Sequence, residues 1–122
     1  MNEFIPYGRQ NISEEDINNV IKVLKSSYLT QGPQVGLFEK LFAKKVKSNF
    51  AVAVNSATSA LHLACMAIGL KEGDSLWTTP NTFVASANCG LYCGAKVDFV
   101  DIDPDTGLIS LDLLRLKLID SK

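Results

Sequence analysis

The run FAVAV at 50–54 constrains this chain more than any other segment. Unbroken apolar runs of this length mark a strand covered on both faces, because a half-covered strand alternates apolar with polar residues. NSATS (55–59) follows at once, and 60–70 then reads as a helix apolar nearly all round, hence buried. A buried strand feeding a buried helix belongs to a layered α/β domain. Two further strands are expected, SLWTT at 75–79, stopped by Pro80, and KVDFV at 96–100. Helices over 82–92, ended by Gly94, and from Ser110 to about Ile119 complete a strand–helix–strand–helix–strand order. Crossover helices between strands make the strands parallel.

Helices also precede the first strand. Ser13 with Asp16 three places on is a capping signal, and Ile17, Val20, Ile21 and Leu24 continue at helical spacing. Residues 26–33 read as a loop, and Val35, Phe38, Leu41, Phe42 and Val46 line one face of a second helix. The expected organisation is therefore a helical N-terminal arm over 1–48 and the start of an α/β sheet over 49–122. A three-stranded parallel sheet keeps two open edges, so the chain is expected to be the opening part of a longer domain.

Composition excludes several classes. Hydrophobic residues make up 47% and charged residues 20%, which is globular rather than disordered. Twelve Lys and Arg against 13 Asp and Glu give a net charge of −1, without the basic face of a nucleic-acid binder. The longest apolar stretch, 50–70, is broken by Asn55, Ser56, Thr58, Ser59 and His62, so no membrane span is expected. The first residues lack a secretory signal pattern. Three cysteines, Cys65, Cys89 and Cys93, form no disulfide scaffold, and a cytoplasmic, reducing setting is expected.

Chemistry concentrates where strands hand over to helices. At 54–62 a buried strand runs through small and hydroxylated residues into a helix start, whose free N–H groups and partial positive charge suit a phosphate. The same residues also fit a plain helix cap by Ser56 or Thr58. The segment lacks both the GxxxxGK[ST] and GxGxxG patterns. At 78–86, Phe83 follows the end of a parallel strand, where α/β ligands bind; it fits either stacking on a planar ring or core packing. Cys89 and Cys93 share a helical face but lack further metal ligands, so no metal site is expected, and the thiols read as buried and inert. His62 reads as a core histidine. Asp98, Asp101, Asp103 and Asp105 lack calcium-loop spacing and read as turn and strand-end residues.

Taken together, LTQGP (29–33), Phe38 with Glu39, NSATSALHLA (55–64), TTPNTFVASAN (78–88) and VDFVDIDPDTGLIS (97–110) resemble the DegT/StrS-type sugar aminotransferases. The match is collinear over nearly the whole chain. The resemblance implies the N-terminal part of the large domain of a fold-type I, pyridoxal phosphate-dependent transferase, a mainly parallel sheet with flanking helices. It implies amino transfer from glutamate to the C4 keto group of a UDP-linked deoxysugar, by a homodimer of the full-length protein. Ala57, Thr58 and Ser59 match the segment that holds the cofactor phosphate, with Ala57 and Ser59 where Gly and Ala are more frequent. Phe83 matches the aromatic that stacks on the pyridine ring. Tyr7, Ser27, Tyr28, Leu29 and Thr30, with Ala57, match residues lining the sugar-nucleotide pocket. The Schiff-base lysine and the aspartate that pairs with the pyridine nitrogen lie beyond position 122 in the family, so no catalytic residue is expected here. The contrasting expectation is a non-catalytic truncated product, or a remnant that binds a phosphate-bearing ligand.

Overall fold

The computed structural model describes residues 4–30 and 32–121. Met1 to Glu3, Gln31 of the 29–33 segment and Lys122 lie outside the described residues. The chain divides into two compact units, Met1–Ala53 and Val54–Lys122. No described helix is long and apolar enough to cross a membrane.

The first unit holds two helices, α1 (Glu14–Leu24) and α2 (Pro33–Val46). Ser13 starts α1 with a capping box: its hydroxyl accepts from the Asp16 N–H at 3.2 Å, and its own N–H donates to the Asp16 carboxylate at 2.8 Å. Those bonds, the backbone one first, hold the Asp16 carboxyl below the usual carboxylate range. Pro33 opens α2, where a missing N–H costs nothing.

The run at 50–54 is the main departure from the sequence reading. It is irregular and forms no strand, and Phe50 is 85% and Val52 78% exposed. A strand exists only through ladder bonds to a neighbour, and among the described residues no strand pairs with this run. Side chains hold it instead. The Ser48 hydroxyl donates to the Phe50 carbonyl at 2.8 Å, and the Ala53 N–H donates to the Glu39 carboxylate at 2.9 Å.

The second unit runs α3 (Ala57–Ala67), β1 (Ser75–Thr78), α4 (Ala85–Tyr92), β2 (Lys96–Phe99) and α5 (Leu111–Asp120). β1 and β2 pair in parallel, with Ser75 opposite Lys96 and Thr78 opposite Phe99. Among the described residues the sheet is thus two-stranded rather than three-stranded, and the crossover through α4 makes it parallel as expected. α3 and α4 both end in a Schellman arrangement around a left-handed glycine. Leu70 N–H reaches Cys65 O across Gly69, and Ala95 N–H reaches Gly90 O across Gly94, each at 3.0 Å.

The core of this unit lies where α4 meets α3 and the sheet. Its buried members are small: Cys65, Ala85, Ala87, Cys89, Ala95 and Val100. Gly90 brings α4 closest, since a Cβ there would sit 3.0 Å from both Leu76 Cβ and Val97 Cγ2. α3 is not buried all round. Only Cys65 is covered, while Leu61, Leu63 and Met66 face solvent, because α4 packs on one side of the helix alone. His62, half-buried, meets the edge of the Tyr92 ring.

Candidate functional site

The start of α3 shows how its local sequence assembles a donor set. Ser56 is extended (φ −159°, ψ 157°), and its hydroxyl accepts from the Ser59 N–H at 3.1 Å. The Ser59 hydroxyl in turn donates to the Asn55 side-chain carbonyl at 2.8 Å. The first intrahelical bond is Ala60 N–H to Ser56 O at 3.1 Å. The N–H groups of Ala57 and Thr58 therefore precede the helical ladder and point out of the helix end. Ser56 is thus the cap, and Thr58 is not.

Charge at this end differs from that of α1 and α5. Those helices place Glu14, Glu15, Asp16 and Asp112 in their first turns, where carboxylates balance the helix dipole. The first turn of α3, like those of α2 and α4, holds no acidic residue. An anion there meets two backbone donors, the Thr58 hydroxyl and an unbalanced dipole, beside the small Ala57 side chain. This donor set fits a phosphate monoester. Asn55 is the member that sequence reasoning missed. Its spacing of four from Ser59 was the available signal.

Phe83 lies between β1 and α4, with its ring 74% exposed. The Thr82 and Ser86 hydroxyls, 2.9 Å apart, close the turn around it. Among the described residues the ring pairs are Phe38 with Phe42 and His62 with Tyr92, so the Phe83 face is free of an aromatic partner.

Tyr7, Ser27, Tyr28, Leu29 and Thr30 belong to the first unit and are exposed. The Ser26 hydroxyl donates to the Tyr28 carbonyl at 3.1 Å and accepts from its N–H at 3.3 Å, which fixes the turn after α1. Tyr28 then lines a cleft of about 160 Å³ together with Lys22, Val23 and Pro33. Of the expected sugar-nucleotide residues Tyr28 alone lines this cleft, where the Lys22 ammonium donates to the Asn19 side-chain carbonyl at 3.3 Å. No motif marks Lys22, since the turn geometry alone brings it there.

The acidic turn after β2 is used up by its own backbone. Asp103 accepts from the N–H groups of Thr106 (2.9 Å) and Asp105 (3.0 Å) and from the Thr106 hydroxyl (3.1 Å). The Thr106 N–H chiefly holds its carboxyl below the usual range. This is the structural turn expected from the spacing.

Comparison with known proteins gives a consistent result. The model of the DegT/DnrJ/EryC1/StrS aminotransferase family matches residues 10–121. The UDP-4-amino-4,6-dideoxy-N-acetyl-beta-L-altrosamine transaminase of Campylobacter jejuni is 46% identical over 115 residues, which are 94% of this chain and 30% of that protein. Spr1654 of Streptococcus pneumoniae, solved in a PLP form, superposes with a TM-score of 0.85 at 31% identity, over 92% of this chain and 29% of its own. PseC of Helicobacter pylori, an aminotransferase involved in the biosynthesis of pseudoaminic acid, superposes with a TM-score of 0.84 at 34% identity, over 91% of this chain and 30% of its own. The chain thus spans under a third of the length of these relatives.

Proposed function

The chain belongs to the DegT/DnrJ/EryC1/StrS aminotransferase family, and from that premise we propose that it forms the cofactor-phosphate end of a fold-type I, pyridoxal phosphate-dependent sugar aminotransferase. The whole enzyme moves an amino group from glutamate to the C4 keto group of a UDP-linked deoxysugar. Likeness to the Campylobacter jejuni transaminase and to PseC favours a step toward pseudaminic acid or a related surface polysaccharide. It works in the cytoplasm as a homodimer. When bound, pyridoxal phosphate supplies the electron-accepting ring and the carbonyl that carries nitrogen from donor to acceptor.

The residues of this chain divide the binding work. The Ala57 and Thr58 N–H groups and the Thr58 hydroxyl hold the phosphate, while Ser59, tied to Asn55 and Ser56, keeps the helix start in shape. Phe83 would stack on the cofactor ring. Tyr7, Ser27, Tyr28, Leu29 and Thr30 of the first unit receive the sugar nucleotide, with Lys22 lining the same cleft as Tyr28. None of these residues moves the proton; in the family that lysine lies outside the segment that residues 1–122 match. The observation that carries this reading is the first turn of α3, with two N–H groups ahead of the ladder and no acidic side chain.

A chimera tests it. Residues 1–122 replace the matching segment of the Campylobacter jejuni transaminase, and glutamate-dependent amination of that enzyme's UDP-sugar is measured. The expected result is retained amination, with cofactor affinity lowered about tenfold or more by Thr58→Glu, which sets a carboxylate against the phosphate. A chimera that folds and holds the cofactor yet aminates no sugar overturns the reading.

A further inference from the structure

Among the described residues β2 has β1 on one side, and its other edge faces outward. The Lys96 N–H donates to the Asp74 carbonyl and the Val100 N–H to the Thr78 carbonyl, each at 2.9 Å. Backbone groups alternate in direction along a strand. Lys96, Asp98 and Val100 therefore turn theirs toward β1, and Val97 and Phe99 turn theirs away. An outward row of this kind is a template for another strand. At Phe99 it is already occupied. The Phe99 N–H donates to Asp98 Oδ1 at 2.7 Å, and the Phe99 carbonyl accepts from the Lys117 ammonium at 2.8 Å. Lys117 also pairs with Asp98 Oδ2, so Asp98, Lys117 and the Phe99 backbone close a ring on one rung. The Lys117 side chain is only 25% exposed, and its ammonium lies 5.2 Å from the ring centroid of Trp77, which stands opposite Asp98 in the register. The bond from Lys117, then that from the Phe99 N–H, holds the Asp98 carboxyl below the usual carboxylate range.

We propose that Asp98 and Lys117 together close the outer edge of β2 against a strand from a second copy of this chain. A strand adding there must exchange bonds with Val97 and Phe99 in succession, and both backbone groups of Phe99 are taken. The incoming strand would break two charge-assisted hydrogen bonds and gain neutral ones, which are weaker. It would also meet the Lys117 side chain, which reaches the edge from α5; a lysine on an edge is a common way of blocking strand addition. Neither substitution alone opens the rung. Lys117→Met leaves the Phe99 N–H on Asp98, and Asp98→Ala leaves the Phe99 carbonyl on Lys117. The closure rests on sheet geometry and stands or falls independently of the cofactor reading.

Amide hydrogen exchange of the full 122-residue chain, resolved by NMR over a range of protein concentrations, tests this. In the native chain the Phe99 amide should exchange about tenfold or more slowly than the Val97 amide, and neither rate should depend on concentration. In the double variant Asp98→Ala with Lys117→Met, the Phe99 protection should vanish at low concentration. At high concentration Val97 and Phe99 should become protected together. The Lys96 and Val100 amides, bonded to β1, report in the same spectra whether the sheet is intact. If the double variant loses that protection, the native comparison and Asp98→Ala decide: the single variant must release the Phe99 amide while Lys96 and Val100 stay slow. Three results overturn the proposal: concentration-dependent protection of Val97 and Phe99 in the native chain, a native Phe99 amide as fast as that of Val97, or a double variant with an intact sheet whose Val97 and Phe99 amides stay fast at every concentration.

Discussion

Replacing Lys117 with Met keeps the apolar stem of the side chain and removes the charge that fastens α5 to the sheet. The Lys117 ammonium donates to the Phe99 carbonyl at 2.8 Å, pairs with the Asp98 carboxylate and lies 5.2 Å from the centroid of the Trp77 ring. A hydrogen bond involving a charged group contributes about 1.5–3 kcal/mol, and a partly exposed cation–π contact about 0.5–1 kcal/mol. The Asp98 carboxylate faces solvent, so the ion pair adds little. One ammonium makes all three contacts and they overlap, so Lys117→Met should cost about 2 kcal/mol, roughly 30-fold in the folded-to-unfolded ratio. The chain has a single tryptophan, Trp77, which reports this site directly. Urea unfolding followed by its emission should show a midpoint lowered by about 1–2 M with an unchanged slope. High salt should remove part of that difference, because it screens the Asp98 pair. An unchanged midpoint would refute the reasoning, because the contacts would then contribute nothing to holding α5 in place.

Two further outcomes follow from the same packing and charges. At Gly90 an added methyl meets Leu76 Cβ and Val97 Cγ2 at 3.0 Å; overpacking of about 1–3 kcal/mol against a helix-propensity gain of about 1 kcal/mol leaves Gly90→Ala about 1 kcal/mol less stable, and Gly90→Val more so, in thermal unfolding. Asp16, Asp98 and Asp103 have folded pKa values below their ordinary 3.8, through bonds from Ser13, Lys117 and Thr106 respectively. Their contribution is therefore full above that value and is lost as pH falls through the lower folded values, so the urea midpoint should drop on acidification below about pH 4. A midpoint that rises on acidification would contradict the bonding described.

Local chemistry made much of this fold readable. Ser13 with Asp16, Ser110, Gly69 and Gly94 each act within one turn of their own position, and the helices they bound lie close to where the spacing puts them. SLWT and KVDF were legible because β-rich runs flank a crossover helix. The run at 50–54 was not, because pairing is set by a distant neighbour that no local pattern names. α1, α3 and the 50–54 run each leave large apolar side chains exposed, which the pattern of apolar residues alone does not foretell. At the site, the helix start was legible from its small and hydroxylated residues. The direction of the Ser59 hydroxyl was not, because Asn55 competes for it as an acceptor.

A phosphate monoester is expected to dock on the first turn of α3. Titrating the isotopically labelled chain with pyridoxamine 5′-phosphate, which carries the phosphate but no carbonyl to react with lysines, tests this most directly. Saturable amide shifts are expected, largest at Ala57 and Thr58 and abolished by Thr58→Glu. Shifts centred on Lys44, Lys45 and Lys47 instead, or at α3 unaffected by that substitution, would contradict it.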